Sequence, residues 1–334
     1  MTWKPALGAL ALSVVLPLGA EAAELRFGHV FAAESLENNA VEQLARNVEE
    51  RTGGEVSVAV FPAGQLGDVG ATFSAMTLGT VDMTMVDISL LGYQKGHEEF
   101  FIGQVPFLFK SQEWARKVYN SDLFQPFYDR LRDEKGIRVL AVEGDRAPRS
   151  FNTKSGPIFE PDDAEGIKIR VLPNPVSIAS FEAWGMRPTP INFNELYLAL
   201  RQDVVEGQDN GLDVTVPMNF HEVTSYYAYS DHVYSLYGWY VSDMTWSTLS
   251  PEAQETLREE AVKAGELISR LGAERQAQDE RTILEAGLKV TVPNRPAFEA
   301  LSKDVYRSFE GDLWREGLVE EIRRMQAEKD PALQ

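Results

Sequence analysis

In the first quarter of this sequence, the spacing of the apolar residues switches repeatedly between a period of two and a period of three to four. Residues 25–29, 56–60 and 81–85 carry their largest apolar side chains at every second position, as half-buried strands do. Residues 40–48 and 73–78 instead place apolar side chains on one helical face, and a glycine follows each run. The order strand, helix, strand, helix, strand predicts a parallel sheet with right-handed crossovers.

A second unit with a similar order follows. After a strand-like segment at 137–142, residues 167–202 read as strand, helix, strand and helix, and Asn192 with Glu195 resembles a capping box at the start of the last helix. The chain has 334 residues, more than the ~250 to 300 at which a single core usually divides. The sequence therefore predicts an α/β protein of two related lobes, with a ligand cleft between them.

An unusually long helical pattern begins at Ser250 and Pro251, which suit an N-cap and a first helical turn, and continues to about Ala286. At 1.5 Å per residue, such a helix would be roughly 50 Å long and would span both lobes. The alternative is a pair of helices broken near Gly265 or Gly272.

The N-terminus has the pattern of a secretory signal peptide over residues 1–22. Lys4 precedes an apolar run from Ala6 to Leu18, and the run ends in an Ala-x-Ala cleavage pattern. The alternative is an uncleaved anchor. The chain contains no Cys, so it offers neither disulfides nor a lipid-attachment cysteine. We expect a soluble periplasmic protein that is not a lipoprotein.

Composition argues against several classes of function. The 32 Lys and Arg residues against 51 Asp and Glu residues give a net charge of -19, which opposes nucleic acid and anionic membranes as partners. A thiol nucleophile is absent, as are the sequence motifs of the common hydrolases, zinc proteases and dinucleotide enzymes. The four histidines lack the spacing of metal ligands. We expect no catalysis, no cofactor and no metal.

Arg170 is the main candidate for ligand binding. It ends a short apolar strand at residues 167–171, and a guanidinium can donate two parallel hydrogen bonds to a carboxylate without losing its charge. Arg146 and Arg149 lie within 25 residues and are further candidates for the same site. The alternative interpretation of Arg170 is an ordinary surface ion pair on an edge strand.

Five segments carry a resemblance to a known family. They are residues 61–67 (FPAGQLG), 106–108 (PFL), 166–171 (GIKIRV), 195–200 (ELYLAL) and 205–210 (VEGQDN). In order and spacing they closely resemble the solute-binding receptors of tripartite ATP-independent periplasmic (TRAP) transporters, of the dicarboxylate-receptor type. The resemblance covers nearly the whole chain after the signal segment.

The resemblance implies a two-lobed venus-flytrap fold with a long hinge-spanning helix. It implies one lobe from residues 24–146 plus 236–275 and a second from residues 147–235 plus 276–330. It also implies a receptor that delivers an organic acid to TRAP membrane subunits. The other functions considered are a receptor serving a membrane sensor and a periplasmic hydrolase.

The resemblance also implies roles for individual residues. Arg170 would hold the ligand carboxylate, Asn210 would assist it, and Phe193 would pack on the ligand. Arg149 best matches a second arginine of the family, with a spacing that differs by about one residue, and Arg146 is the alternative.

This sequence departs from the family pattern at three positions. Glu206 stands where the family usually has Asp, and Asp209 stands where it usually has Glu. In addition, Leu172 is inserted before Pro173. The first two departures conserve charge, whereas the third could reshape the pocket wall beside Arg170.

Three more polar residues are candidates, each with a structural alternative. Asp87 ends a strand where relatives place a polar ligand contact, but it could only cap a helix. His29 could donate to a ligand oxygen, but it could also be a buried core histidine. Tyr237 belongs to an aromatic-rich stretch that could stack on a sugar-like ring or form a buried crossing strand.

The identity of the acid stays open at this point. The candidates are a C4-dicarboxylate, a uronate or another sugar acid, and a keto acid. The polar candidates His29, Asp87 and Tyr237 favour a hydroxylated acid. Whether a cation binds with the acid also stays open.

Overall fold

The structure, a computed structural model, describes residue 1 and residues 22–328. The apolar run and most of the predicted signal peptide, residues 2–21, lie outside the described residues. Within the described part of the chain, no helix is both long enough and apolar enough to cross a membrane.

Eleven strands are present in this part of the chain. They are β1 (Ala23–Gly28), β2 (Val56–Phe61), β3 (Met83–Asp87), β4 (Ile137–Asp145), β5 (Arg149–Thr153), β6 (Lys168–Val171), β7 (Arg187–Pro190), β8 (Gly207–Asn210), β9 (Tyr226–Val233), β10 (Leu236–Ser242) and β11 (Lys289–Thr291).

The α-helices of the described residues alternate with these strands. They are α1 (Leu36–Arg51), α2 (Val69–Thr77), α3 (Gln112–Tyr119), α4 (Gln125–Lys135), α5 (Pro175–Ala183), α6 (Leu196–Arg201), α7 (Leu212–Thr215), α8 (Asp243–Thr248), α9 (Pro251–Glu285), α10 (Arg295–Ser302) and α11 (Leu318–Glu328). Short 3-10 helices include Ile88–Tyr93, Glu98–Gln104 and Phe193–Glu195.

The first sheet has the strand order β2-β1-β3-β10-β4. β1 pairs in parallel with β2 and with β3, so the β-α-β-α-β unit predicted from the alternating periods is confirmed. The strand β10 lies between β3 and β4 and is antiparallel to both. This return strand comes from the aromatic-rich stretch, whose interpretation as a buried crossing segment is confirmed.

The second sheet has the order β11-β9-β5-β8-β6-β7. β6 pairs in parallel with β7 and β8, while β5 is antiparallel to β8 and β9. The chain passes between the two sheets from β4 to β5 and returns from β9 to β10. Two α/β lobes joined by several crossings follow from this topology.

The long helix α9 is continuous over 35 residues, so the alternative of two shorter helices is wrong. Ser250 caps it by accepting a hydrogen bond from the Ala253 amide at 3.1 Å. Gly265 does not break the helix but lets it approach β4 closely. A Cβ atom at Gly265 would lie 2.6 Å from the backbone carbon and oxygen of Glu143.

Two local expectations differ from the structure. Asn192 precedes the 3-10 turn Phe193–Glu195, but its side chain makes no capping hydrogen bond, so the capping box is wrong. The helix α11, which we expected with the second lobe, packs on the first-lobe side instead. There Gln326 accepts from the Lys110 amide at 2.8 Å and donates to the Leu108 carbonyl at 3.0 Å.

We expect Gly265→Ala and Gly272→Ala to have opposite effects on stability. Alanine in place of a mid-helix glycine usually gains about 1 kcal/mol. At Gly272 the added methyl would meet only Leu36 at 4.0 Å, so the gain should be realised. At Gly265 the clash with β4 should outweigh it and destabilise the protein by about 1 to 3 kcal/mol. Urea unfolding of both variants checks this; equal stabilisation would contradict the close approach of α9 to β4.

Candidate functional site

A cavity of about 440 Å³ lies between the lobes, a size that suits a small-molecule ligand. We call it the cleft. Its walls come from both lobes and are made by Val30, Phe31, Asp68, Val69, Gly70, Ser74, Val86, Leu90, Tyr93, Arg146, Arg149, Arg170, Leu172, Pro173, Asn192, Phe193 and Asn210. The inserted Leu172 is part of this wall, beside Arg170.

Arg170 is fixed at the end of β6, an interior strand of the second sheet, and only 1% of it is exposed. Its Nε donates to the Ile191 carbonyl at 2.8 Å. Its Nη1 and Nη2 atoms are buried and find no acceptor among the described residues. The alternative of a surface ion pair on an edge strand is therefore wrong. Instead, Arg170 lines the cleft with a fork of N–H donors that the protein leaves unused.

The charge on Arg170 is costly. Burial, together with the positive charge of Arg149, lowers the pKa of Arg170 to about 10. The guanidinium is still charged at neutral pH, but its charge has lost most of its hydration. An anion that accepts from both Nη atoms would restore the missing hydrogen bonds.

Arg149 opens β5 and also lines the cleft, but its fork is already occupied. Its Nε donates to Asp209 Oδ2 at 2.6 Å, its Nη2 to the Asp209 carbonyl at 2.5 Å, and its Nη1 to Asn210 Oδ1 at 3.3 Å. Burial would raise the pKa of Asp209, but the charge of Arg149 and a hydrogen bond to His232 hold it well below its usual range. Asp209 therefore compensates the charge of Arg149.

Arg146 lies in the connection between β4 and β5 and lines the cleft as well. Its Nη1 donates to Asp87 Oδ2 at 2.7 Å, and its guanidinium lies over the Tyr237 ring at 5.4 Å. Both partners of the ion pair are at least nine-tenths buried. The structure brings both candidate second arginines to the cleft, each with its own carboxylate.

Phe193 and Asn210 are also brought to the cleft. Phe193 belongs to the second lobe and packs edge-on against Phe31 of the first lobe, with ring centroids 6.5 Å apart. Asn210 ends β8; its Oδ1 accepts from Arg149, and its Nδ2 donates to Gln208 Oε1 at 2.5 Å. Phe193 thus offers an apolar face, and Asn210 orients Arg149.

Asp87 is not among the side chains that line the cleft. Its Oδ1 caps the 3-10 helix Ile88–Tyr93 by accepting from the Ser89 amide at 3.0 Å, and its Oδ2 accepts from Arg146 and Ser235. Burial opposes its ionisation, yet the charge of Arg146 keeps the pKa of Asp87 below its ordinary value. Asp87 positions a cleft arginine from behind, and the capping interpretation fits.

His29 and Tyr237 do not line the cleft either. His29 Nε2 bonds to Asn38 Oδ1 at 3.1 Å, and its Nδ1 accepts from the Phe31 amide at 3.3 Å. The Tyr237 hydroxyl donates to Glu37 Oε1 at 2.9 Å, and the residue is fully buried. The direct ligand contacts expected of these two residues do not fit, because their polar atoms already have partners inside the protein.

Four polar residues of the cleft were missed by sequence reasoning, namely Asp68, Ser74, Tyr93 and Asn192. Tyr93 ends the 3-10 helix Ile88–Tyr93; burial raises the pKa of its phenol to about 12, while the charges of Arg170 and Arg149 oppose this rise. Asp68 is the N-cap of α2, and its Oδ1 accepts from the Ala71 amide at 2.8 Å. In sequence Asp68 looks like any helix cap, so nothing marked it as a cleft residue.

Across residues 22–328, no group of three or more His, Cys, Asp or Glu side chains is arranged to hold a metal ion. The charged groups that line the cleft are three arginines and one carboxylate, Asp68, and Asp87 and Asp209 pair with two of the arginines. This set can hold an anion by charge and hydrogen bonding. It contains no pairing of a nucleophile with a general base.

His29 predicts a specific acid sensitivity. Burial lowers the pKa of His29 from 6.5 to about 4. Between pH 6.5 and pH 4, His29 is protonated in the unfolded chain but stays neutral in the folded protein, so the free energy of unfolding falls as the pH falls. When the pH falls from 7 to 4, the free energy of unfolding of the parent protein should drop by about 3 kcal/mol more than that of His29→Gln, which has no such group to protonate. Urea unfolding at both pH values measures this; equal losses would show that His29 is not the neutral core residue described.

Comparison with known proteins agrees with this geometry. The sequence profile of the bacterial extracellular solute-binding proteins, family 7, matches residues 27–312. The sialic acid-binding periplasmic protein SiaP of Vibrio cholerae is 28% identical over 306 residues, covering 91% of this chain and 93% of SiaP. The C4-dicarboxylate-binding periplasmic protein DctP of Rhodobacter capsulatus is 27% identical over 303 residues, covering 89% and 90%.

A solved structure extends the likeness to three dimensions. The TRAP periplasmic solute-binding protein of Roseobacter denitrificans with bound L-galactonate superposes with a TM-score of 0.83 at 28% identity. The match covers 91% of this chain and 100% of that one. The family match, the two-lobed α/β fold and the arginine-lined cleft agree, and they show that this chain belongs to the family 7 extracellular solute-binding proteins, the receptors of TRAP transporters, which bind solutes and are not enzymes.

Proposed function

We propose that this receptor binds a small hydroxylated organic acid by its carboxylate and delivers it to TRAP membrane subunits. The observation that carries the proposal is the fork of Arg170, whose two Nη atoms are buried at the cleft without a protein acceptor. A carboxylate matches this fork in shape and charge. A neutral sugar would leave the desolvated charge uncompensated.

The roles of the other cleft residues follow from their contacts. Arg149 lies close enough to Arg170 to lower its pKa, so an anion between them gains from both charges. Asn210 holds Arg149 in place, and Phe193 supplies an apolar surface for the carbon chain of the ligand. Asp87, His29 and Tyr237 act behind the walls and do not touch the ligand.

Closure of the two lobes provides the mechanism. The ligand contacts both walls of the cleft only when the lobes approach, so binding shifts the population toward the closed state. Contacts between the lobes support such a state here, including the Phe31–Phe193 ring pair and the bond from the Phe107 amide to the His232 carbonyl at 2.7 Å. The rigid units we propose are residues 24–146 plus 236–275 and residues 147–235 plus 276–309, since residues 305–309 pack on α5. The helix α11 would move with the first unit, whose α3 it contacts.

A sugar acid is the ligand class that the cleft favours. Besides the carboxylate fork, the walls offer the Tyr93 hydroxyl, the Ser74 hydroxyl, the Asn192 amide and the Asp68 carboxylate as partners for ligand hydroxyls. The solved relative with bound L-galactonate and the sialic acid-binding relative support this choice. We take L-galactonate as the first probe, within a thermal-shift screen of sugar acids, uronates, keto acids and C4-dicarboxylates.

We expect Arg170→Lys to keep the fold but weaken binding of the acid by about 2 to 5 kcal/mol, or roughly 30-fold or more. Lysine keeps the charge but cannot donate two parallel hydrogen bonds, so the ligand carboxylate is left imperfectly paired. Isothermal titration calorimetry with L-galactonate, or with the acid that gives the largest thermal shift, measures the loss.

The matched control is Arg187→Lys, because Arg187 is exposed on β7, the strand next to β6 in the same sheet. This variant should bind the acid with the affinity of the parent protein. Unchanged affinity in Arg170→Lys would remove Arg170 from the site. Stabilisation of the parent protein by neutral sugars, with no response to any acid, would refute the proposed function as a whole.

The proposed location is the periplasm, with residues 1–22 removed on export and no lipid anchor. The expected product is a soluble protein that begins at Ala23, the first residue of β1. Intact-mass measurement of the protein recovered from the periplasm tests this. A mass that includes residues 1–22 would contradict the proposed processing.

A further inference from the structure

We infer that this receptor admits acids with a single carboxylate and rejects dicarboxylates of the same length, and that Asp68 is the residue that discriminates between them. The inference rests on the proposed function, since it specifies which acids the same cleft accepts. Its physical basis is the balance of charge around the cleft.

Three guanidinium groups line the cleft, and two of them already have counter-ions. Arg146 is paired with Asp87 at 2.7 Å, and Arg149 is paired with Asp209 at 2.6 Å. Both pairs are buried. Arg149 already donates from Nε, Nη1 and Nη2, so a ligand carboxylate could use it fully only by separating it from Asp209. Arg146 donates to Asp87 from Nη1 alone and keeps a buried Nε without a partner in the described part of the chain, but its charge is already balanced by Asp87. Breaking a buried ion pair leaves an uncompensated charge and is strongly unfavourable. Arg170 alone among these three makes no ion pair within the described residues.

Asp68 supplies the negative charge that lines the cleft. Asp68 is half-buried at the start of α2, on the first lobe, and forms no ion pair with any described residue. Its Oδ1 is used to cap α2, whereas its Oδ2 accepts no hydrogen bond from the described part of the protein. The cleft thus contains one free carboxylate oxygen that can accept from a ligand hydroxyl.

Tyr93 relates this carboxylate to the anion fork. The phenol of Tyr93 feels the positive charges of Arg170 and Arg149, which lower its pKa, and the negative charges of Asp87 and Asp68, which raise it. Asp68 and Tyr93 line the cleft from the first lobe, whereas Arg170 lines it from the second. Arg170 and Asp68 therefore bring opposite charges to the cleft from opposite lobes.

A ligand anchored by its carboxylate at Arg170 extends its other end toward Asp68. A terminal hydroxyl there donates to the free Oδ2, in a hydrogen bond strengthened by the charge. A second carboxylate there meets a like charge in a partly desolvated site and has no cation to pair with. The same side chain therefore selects the hydroxyl and repels the carboxylate, which is specificity by repulsion as well as attraction.

L-galactonate and galactarate provide the direct test, because they share one carbon skeleton and differ only in a terminal hydroxymethyl group or carboxylate. D-gluconate and D-glucarate form a second such pair. We expect calorimetry on the parent protein to favour the monocarboxylate of a pair by at least about 30-fold. In Asp68→Asn this preference should shrink at least about tenfold, mainly because the dicarboxylate binds more tightly.

The Asp68→Asn variant should fold normally, because Asn is as good an N-cap as Asp and can still accept from the Ala71 amide. The matched control is Asp312→Asn, which removes an exposed carboxylate that does not line the cleft. Its preference should equal that of the parent protein. This control excludes a general effect of net charge on the binding of anions.

The outcomes separate this inference from the proposed function. If the dicarboxylate of a pair binds the parent protein within about threefold of its monocarboxylate, the inference is overturned and the proposed function stands. If the parent protein discriminates but Asp68→Asn discriminates equally, the role of Asp68 is overturned. If no acid of the screen binds at all, the proposed function itself fails.

Discussion

The site depends on the burial of one arginine whose charge the protein does not itself compensate. Arg170 is held by a single bond from Nε to the Ile191 carbonyl, while both Nη atoms remain without a protein partner at the cleft. A buried, unpaired charge is among the most unfavourable arrangements a protein can contain. We propose that an anionic ligand relieves this cost when it binds.

The rest of the cleft keeps that arrangement in place. Asp209 and Asp87 pair with Arg149 and Arg146 and hold these two guanidinium groups in place. The two residues of each pair are about 60 positions apart in sequence. The Arg149–Asp209 pair therefore links β5 to β8, and the Arg146–Asp87 pair links the end of β3 to the segment that follows β4. Because Arg146 and Arg149 already have carboxylate partners, we propose that Arg170 determines which anion binds. We propose that one fork and one opposing carboxylate define both the charge and the orientation of the ligand.

Much of the fold could be predicted from the sequence, because local periodicity and caps determine its elements. The β-α-β-α-β unit, the strand that ends at Arg170 and the continuous helix after Ser250 all carry local signals. The antiparallel insertion of β10 into the first sheet and the docking of α11 there depend on contacts between residues far apart in sequence. Nothing in the spacing of the apolar residues specifies such pairings.

The candidate site divides in the same way. Arg170 and Phe193 could be found, because a motif and a strand end place them at the cleft. Asp87, His29 and Tyr237 lie behind the cleft wall, and the sequence left their capping and core alternatives open, since the alternation of a strand gives the face of a residue but not whether a neighbour covers it. Asp68 was missed because its capping role hides its second role: a helix N-terminus at a cleft wall needs a cap, and a carboxylate cap also places charge in the cleft.

The most direct test of this account is a crystal structure of the receptor with its acid bound. The account predicts the two oxygens of the ligand carboxylate within hydrogen-bond distance of Nη1 and Nη2 of Arg170, with the Arg149–Asp209 and Arg146–Asp87 pairs unbroken. A ligand whose carboxylate instead displaces Asp209 or Asp87 from its arginine, and leaves the Arg170 fork without the ligand, would contradict it.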